Sequence, residues 1–169
     1  EVQLNNPLLQ SLPHLCLADL PGLDSKSEAH SQAIHHYLGR SLAYCIMVSS
    51  EEGTLKESIK NFLAELALHQ APVLVIISKS DKRSAKDIEA IKQQVKQQVQ
   101  AILPPDNYLN VVAASRKNFD TVIPALQELE QRSEQRFKET VVKQSIDTIA
   151  TLQQHIEVLN NQDNLDLES

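Results

Sequence analysis

Short runs of consecutive apolar residues alternate with longer segments whose apolar positions recur every three or four residues. The runs are Leu15–Ala18, Leu42–Val48, Val73–Ile77 and, with Asn110 the one polar residue in it, Leu109–Ala114. Unbroken rather than alternating apolarity suits strands covered on both faces, as in parallel sheets of α/β proteins. Between the runs lie helical patterns. Thr54-Leu55-Lys56-Glu57 has the spacing of a capping box, and Leu55, Ile59, Phe62, Leu63 and Leu66 follow on one face. Ser84-Ala85-Lys86-Asp87 opens a second helix through Ile88, Ile91, Val95, Val99 and Ile102, which Pro104-Pro105 ends. A third, shorter helix is expected over Glu28–Leu38. Strand and helix alternating in this way predict an α/β fold with right-handed parallel crossovers in one layered sheet.

The end of the chain has a different pattern. Beyond Pro124, which a first helical turn tolerates, neither proline nor glycine occurs as far as Leu159. Leu126, Leu129, Phe137, Val141, Ile149, Leu152, Ile156 and Leu159 keep roughly helical spacing. A helix of about 35 to 40 residues, rising 1.5 Å per residue, exceeds the ~30 Å width of a small domain. Its far end is expected to project and to need partner helices for its apolar stripe. Both charge signs on its polar face suit bundle packing better than a membrane surface. Asn160–Ser169 is polar and acidic and reads as a frayed tail.

Composition narrows this picture. The chain has 169 residues, 41% hydrophobic and 22% charged, within the range of a folded domain. No apolar run approaches the ~20 residues of a membrane span, and residues 1–10 lack the basic start and apolar stretch of a signal peptide. A net charge of −6 disfavours general nucleic-acid binding. Lys79, Lys82, Arg83 and Lys86 read as a solvated basic loop. Met47 is the only methionine, so the chain is expected to be part of a longer protein. Cys16 and Cys45 lie in apolar runs and are expected to be buried thiols in a reducing, cytoplasmic setting rather than a disulfide or catalytic pair. His30, His35 and His36 have no spaced acidic partner and read as solvent-facing.

Three loops that follow expected strands carry the chemistry. Ligands of open α/β sheets bind beyond the carboxyl ends of the strands. Asp19-Leu20-Pro21-Gly22 follows the first run. An aspartate there can hold Mg²⁺ through water, and a glycine lets a backbone N–H approach a phosphate oxygen. Ser78-Lys79-Ser80-Asp81 follows the third run. The Asp81 carboxylate can accept from the N1–H and 2-amino group of guanine, a donor pair that adenine lacks, and the Lys79 stem can lie along the ring. Ala114 and Ser115 end the fourth run, where small residues let a backbone N–H reach the base oxygen. The three glycines, Gly22, Gly39 and Gly53, lack the spacing of a G-x-x-x-x-G-K-[ST] phosphate loop.

In this order, the loops resemble the later part of the GTPase domain of dynamin-like proteins, above all the bacterial members. Asp19–Gly22 matches the D-[TL]-P-G switch motif and Ser78–Asp81 the [TN]-K-x-D base-recognition motif, with serine in place of threonine or asparagine. Val2–Gly22, with Asn6-Pro7, resembles the strand pair leading into the switch motif, and the long helix resembles the following neck or bundle. The family's phosphate loop and first switch precede the position of Glu1, as does its central strand. The resemblance implies a P-loop-NTPase-like, mostly parallel three-layer fold, with residues 1–131 a partial GTPase domain, 132–160 a projecting helix and 161–169 a disordered tail. It implies GTP or GDP with Mg²⁺ as ligands and GTP hydrolysis coupled to helical movement and membrane remodelling. In that scheme Asp19 lies in the outer metal shell, the Gly22 N–H senses the γ-phosphate, and Ser78, Lys79, Asp81, Ala114 and Ser115 hold the base. No catalytic side chain of the family falls within the chain, which alone is expected to bind GTP weakly or not at all. The missing strand is expected to leave two unpaired sheet edges for a second copy or for the preceding segment. The alternatives are a degenerate GTPase-like interaction module and, less suited to the acidic charge and long helix, a translation- or ribosome-assembly-type GTPase.

Overall fold

The computed structural model describes residues 10–24, 32, 34, 36–38 and 41–166, with side chains through Val158. Three strands form one parallel sheet in the order β1-β2-β3: β1 is Tyr44–Ser49, β2 Val73–Ser78 and β3 Leu109–Ala113. Tyr44 aligns with Val73, and Val73 with Leu109. The helices are α1 (Glu57–Ala67), α2 (Ala85–Gln100) and α3 (Val122–Asp166), with a 3₁₀ turn at Ser80–Lys82 after β2. The chain divides into two compact units, Glu1–Ser133 and Glu134–Ser169.

Within the first unit the sheet is the middle of three layers. Tyr44, Ile46, Val48, Val73 and Val75 pack with Ile59, Leu63 and Leu66 of α1 and Val95 and Val99 of α2. On the other face Leu74, Ile76 and Val112 pack with Val122, Ala125, Leu126 and Leu129 of α3. Side chains alternate across the pleat, so each face of β2 receives its own set. Every residue from Val73 to Ile77 is buried, as its unbroken apolar run predicts. Removing apolar surface from water on both faces, at about 25 cal/mol per Å², makes β2 the centre of the core.

β1 departs from that expectation. Tyr44, Ile46 and Val48 are buried, but Met47 is 59% exposed and Cys45 is exposed. Helices cover only one face of this strand among the described residues, and β2 is its only ladder partner there. Cys16 is exposed as well, so neither thiol is buried as the sequence suggests, and both are free.

The Leu15–Ala18 run forms no strand. Four apolar residues do not make a strand without a ladder to satisfy their backbone. The Leu15 amide instead donates to the Leu12 carbonyl at 3.3 Å, and the His14 amide to the Glu130 carboxylate at 2.7 Å. Leu12 and Leu15 thus pack against the α3 side of the core. Among the described residues the sheet has no gap between two flanking strands, and its edge on this side is that of β1. Residues 1–9, with the Asn6-Pro7 feature, lie outside the described residues, as does most of the helix expected over Glu28–Leu38. Gln32, Ile34, His36 and Tyr37 within it are helical.

The expected capping box does not form either. α1 starts at Glu57 with no side-chain cap. Thr54 is instead joined to Gln98 of α2, whose amide donates to the Thr54 hydroxyl at 2.8 Å and whose oxygen accepts the Leu55 amide at 3.0 Å. Across α2 the sequence reading holds: the Ser84 hydroxyl accepts the Asp87 amide at 3.2 Å. In the second unit α3 continues to Asp166, and Phe137, Val141, Val142, Ile146, Ile149, Leu152, Ile156 and Val158 are exposed along it. No described helix is long and apolar enough to cross a membrane.

Candidate functional site at the carboxyl ends of the strands

Parallel strands deliver their carboxyl ends to one edge of the sheet, and the loops leaving β1, β2 and β3 meet there. Ser78 is the last residue of β2, and its hydroxyl donates to the Val48 carbonyl at 3.3 Å. Lys79 follows in the left-handed region, at φ 56° and ψ 36°. For a non-glycine residue this costs on the order of 1 kcal/mol and persists only where neighbours over-determine it. Two contacts flank the strained residue. The wholly buried Ser50 hydroxyl donates to the Lys79 carbonyl at 2.7 Å, and the next amide, Ser80, donates to the Ala114 carbonyl at 3.0 Å.

The left-handed residue reverses the chain into the 3₁₀ turn that carries Asp81. The Asp81 side chain is exposed and takes no hydrogen bond or ion pair among the described residues. A carboxylate on a braced loop without an internal partner can accept two donors from a ligand.

The loop after β3 is also braced. Ala114 and Ser115 are buried. The Ala114 amide donates to the Ile77 carbonyl at 2.8 Å, and the Ser115 hydroxyl accepts the Asn118 amide at 3.1 Å. The structure therefore brings Ser78, Lys79, Ala114 and Ser115 into one connected unit, with Asp81 at its rim.

Asp19 and Gly22 are not joined to it. Both are exposed, in a segment without regular structure, and a Cβ built on Gly22 would meet nothing within 4 Å. The end of this segment is tied to α1 instead. Asp24 accepts from the Lys56 ammonium at 2.9 Å and from the Ser58 hydroxyl. The Ser58 hydrogen bond, then Lys56, holds the Asp24 carboxyl below its ordinary 3.8.

Sequence reasoning also missed Glu51. Its carboxylate pairs with the Lys79 ammonium, and its backbone carbonyl accepts from the Arg83 guanidinium at 3.3 Å. The Lys79 hydrogen bond is the main reason the Glu51 carboxyl lies below its ordinary 4.5. Glu51 and Lys79 belong to different loops, and no local spacing announces such a pair. Next to them opens a groove of about 410 Å³ lined by Ser50, Glu51, Thr54, Arg83, Asp87 and Gln94. Gly53, at φ +66°, turns the chain along its wall.

No family model matches the chain, and no curated protein matches it. Among solved structures it is similar to the translation elongation factor SelB from Methanococcus maripaludis in complex with the GTP analogue GppNHp. The match has a TM-score of 0.52 and 20% sequence identity over 66% of this chain. It spans 24% of the SelB chain. The fold is thus of the P-loop GTPase type: a parallel sheet between helical layers, followed by a long α-helix.

Proposed function

We propose that this chain is the guanine-recognising part of a GTPase of the dynamin-like kind, with the phosphate-binding loop supplied by sequence preceding Glu1. One observation carries the reading. The Ser78–Asp81 loop is held in a left-handed reversal by Ser50 and Ala114, and presents an exposed carboxylate without an internal partner. The likeness in fold to a SelB structure that holds a GTP analogue supports it. In this reading Asp81 accepts the two guanine donors, the Lys79 stem lies along the ring, and the segment at Ala114 and Ser115 offers a backbone N–H to the base oxygen. Asp19 is the outer-shell partner of Mg²⁺. A single exposed carboxylate fits a cation that keeps several waters and takes its other ligands from phosphates. The Gly22 N–H meets the γ-phosphate. Hydrolysis is then positioning and charge stabilisation, coupled to movement of α3 and to membrane remodelling, in a cytoplasmic protein at the membrane periphery. A second copy or the preceding segment completes the β1 edge.

The test is calorimetry with GTP and with ATP, both with Mg²⁺, on this chain and on one extended upstream through a phosphate loop. GTP binding by the extended form alone, abolished by Asp81→Ala, is the expected result. Binding of neither nucleotide by either form overturns the reading. The apolar residues exposed from Phe137 to Val158 favour a second reading, a GTPase-like module without hydrolysis that acts through its helix. Failure to bind nucleotide is what that reading expects.

A further inference from the structure

We propose that Glu51 and Ser50 are positioning residues for Lys79, Ser50 on its backbone carbonyl and Glu51 on its ammonium, so that the stem between them forms a preset platform for a guanine ring. This rests on the base-site reading above. The backbone end of Lys79 is fixed by the Ser50 hydroxyl on its carbonyl at 2.7 Å. The far end is fixed by the Glu51 carboxylate on its ammonium. Glu51 is held in its turn, since its carbonyl accepts from Arg83 at 3.3 Å. Ser50 is wholly buried, so its anchor is rigid, whereas the side chains of Lys79 and Glu51 are 55% and 51% exposed. A lysine stem is a flexible apolar chain with a charged tip. Ordering it before the ligand arrives removes an entropic cost from binding. The ammonium pairs with Glu51, and the exposed Asp81, the acidic residue nearest to it in sequence, takes no ion pair among the described residues. Asp81 therefore keeps both oxygens for the base.

The experiment is a double-mutant cycle on GDP affinity in the full-length protein, using Glu51→Gln, Lys79→Met and the pair. Glu51→Gln is expected to weaken GDP binding about threefold to fivefold, the upper range for an exposed ion pair. In the Lys79→Met background the same change is expected to have no effect, because Glu51 acts only through Lys79. The ratio of wild-type to Glu51→Gln affinity should approach one as salt rises from 0.1 to 1 M, where the screening length falls from about 10 to about 3 Å. Melting temperatures read alongside should match, which a merely structural role for Glu51 would not produce. Unchanged affinity in Glu51→Gln, or an equal loss with and without Lys79, overturns the positioning role while Asp81→Ala still abolishes binding. If Asp81→Ala leaves GDP affinity unchanged, or the protein binds no GDP, the base-site reading fails and this role with it.

Discussion

The Ser80 amide donates to the Ala114 carbonyl at 3.0 Å, and this bond ties the loop after β2 to the loop after β3. With Ser115 braced on Asn118, the two loops behave as one piece on the edge of the sheet. Ser115→Ala removes the oxygen that accepts the Asn118 amide at 3.1 Å and the Lys117 amide at 3.3 Å. Ser115 is buried, so water cannot fully replace the loss. Urea unfolding should show a loss of about 1 kcal/mol. An unchanged midpoint would mean that the loop is held by its backbone alone.

The two helix starts make opposite predictions from similar sequences. Ser84→Ala deletes a real N-cap and is expected to cost about 1 kcal/mol. Glu57→Ala, at a position where a capping box would matter, touches only an exposed ion pair with Lys60 and should change stability by less than about 0.5 kcal/mol. Thr54→Ala is expected to destabilise by removing its bond to Gln98. In a Gln98→Ala background it should add little more.

Asp24 gives the acid limb of stability a named contributor. Its folded value lies below the ordinary 3.8 because Ser58 and Lys56 favour the ionised form. A carboxyl depressed in this way stabilises the fold above its unfolded value, and the contribution disappears as pH falls through the folded value. The stability difference between wild type and Asp24→Asn should therefore be largest near neutral pH and shrink below pH 3.8. A difference that stays constant across denaturant curves at neutral and acid pH would sink this assignment.

Cys45 is exposed as a residue, yet loss of hydration around its sulfur pushes the thiol from 9.0 up to about 11. The thiolate is the reactive species. Alkylation by iodoacetamide near pH 8, followed by mass spectrometry, should therefore be about tenfold slower at Cys45 in the native protein than after unfolding, the smaller thiolate fraction being partly offset by the greater nucleophilicity of a more basic thiolate. Equal rates in the two states would show that the sulfur is fully hydrated.

Most of the sheet was legible because β2 follows an unbroken apolar run, β3 a run interrupted only by Asn110, and α2 carries a serine cap and a proline stop. What sequence could not supply was partnership. Leu15–Ala18 is as apolar as a short strand, but the run has no ladder partner among the described residues, and Leu15 packs with Leu12 against α3. Cys45 and Met47 sit in a run that looks buried on both faces, and only the arrangement of the described helices shows that these two side chains are exposed. Thr54 has capping chemistry, but Gln98, far along the chain, competes for its hydroxyl. In the candidate site, Ser78, Lys79, Asp81, Ala114 and Ser115 lie in two short motifs at strand ends, so their meeting at one edge of the sheet could be expected from the order of the strands. The Glu51 pair with Lys79 could not, because it crosses from one strand end to the next. Of Asp19 and Gly22 the structure adds only that they are exposed and not joined to the loops around Lys79.

Among the described residues only β2 pairs with β1, and this has a consequence for solvent hydrogen exchange. The amides of Tyr44 and Ser50 donate toward the β2 side, to Pro72 just before that strand at 2.9 Å and to Ser78 at its end at 3.0 Å. Amide direction alternates along a strand, so Ile46 and Val48 face the same way, while Cys45, Met47 and Ser49 face outward from the sheet. The two sets should exchange at two speeds within one strand, the first at the pace of the core and the second almost as fast as a loop. Anything that docks along β1 would slow the second set without touching the first.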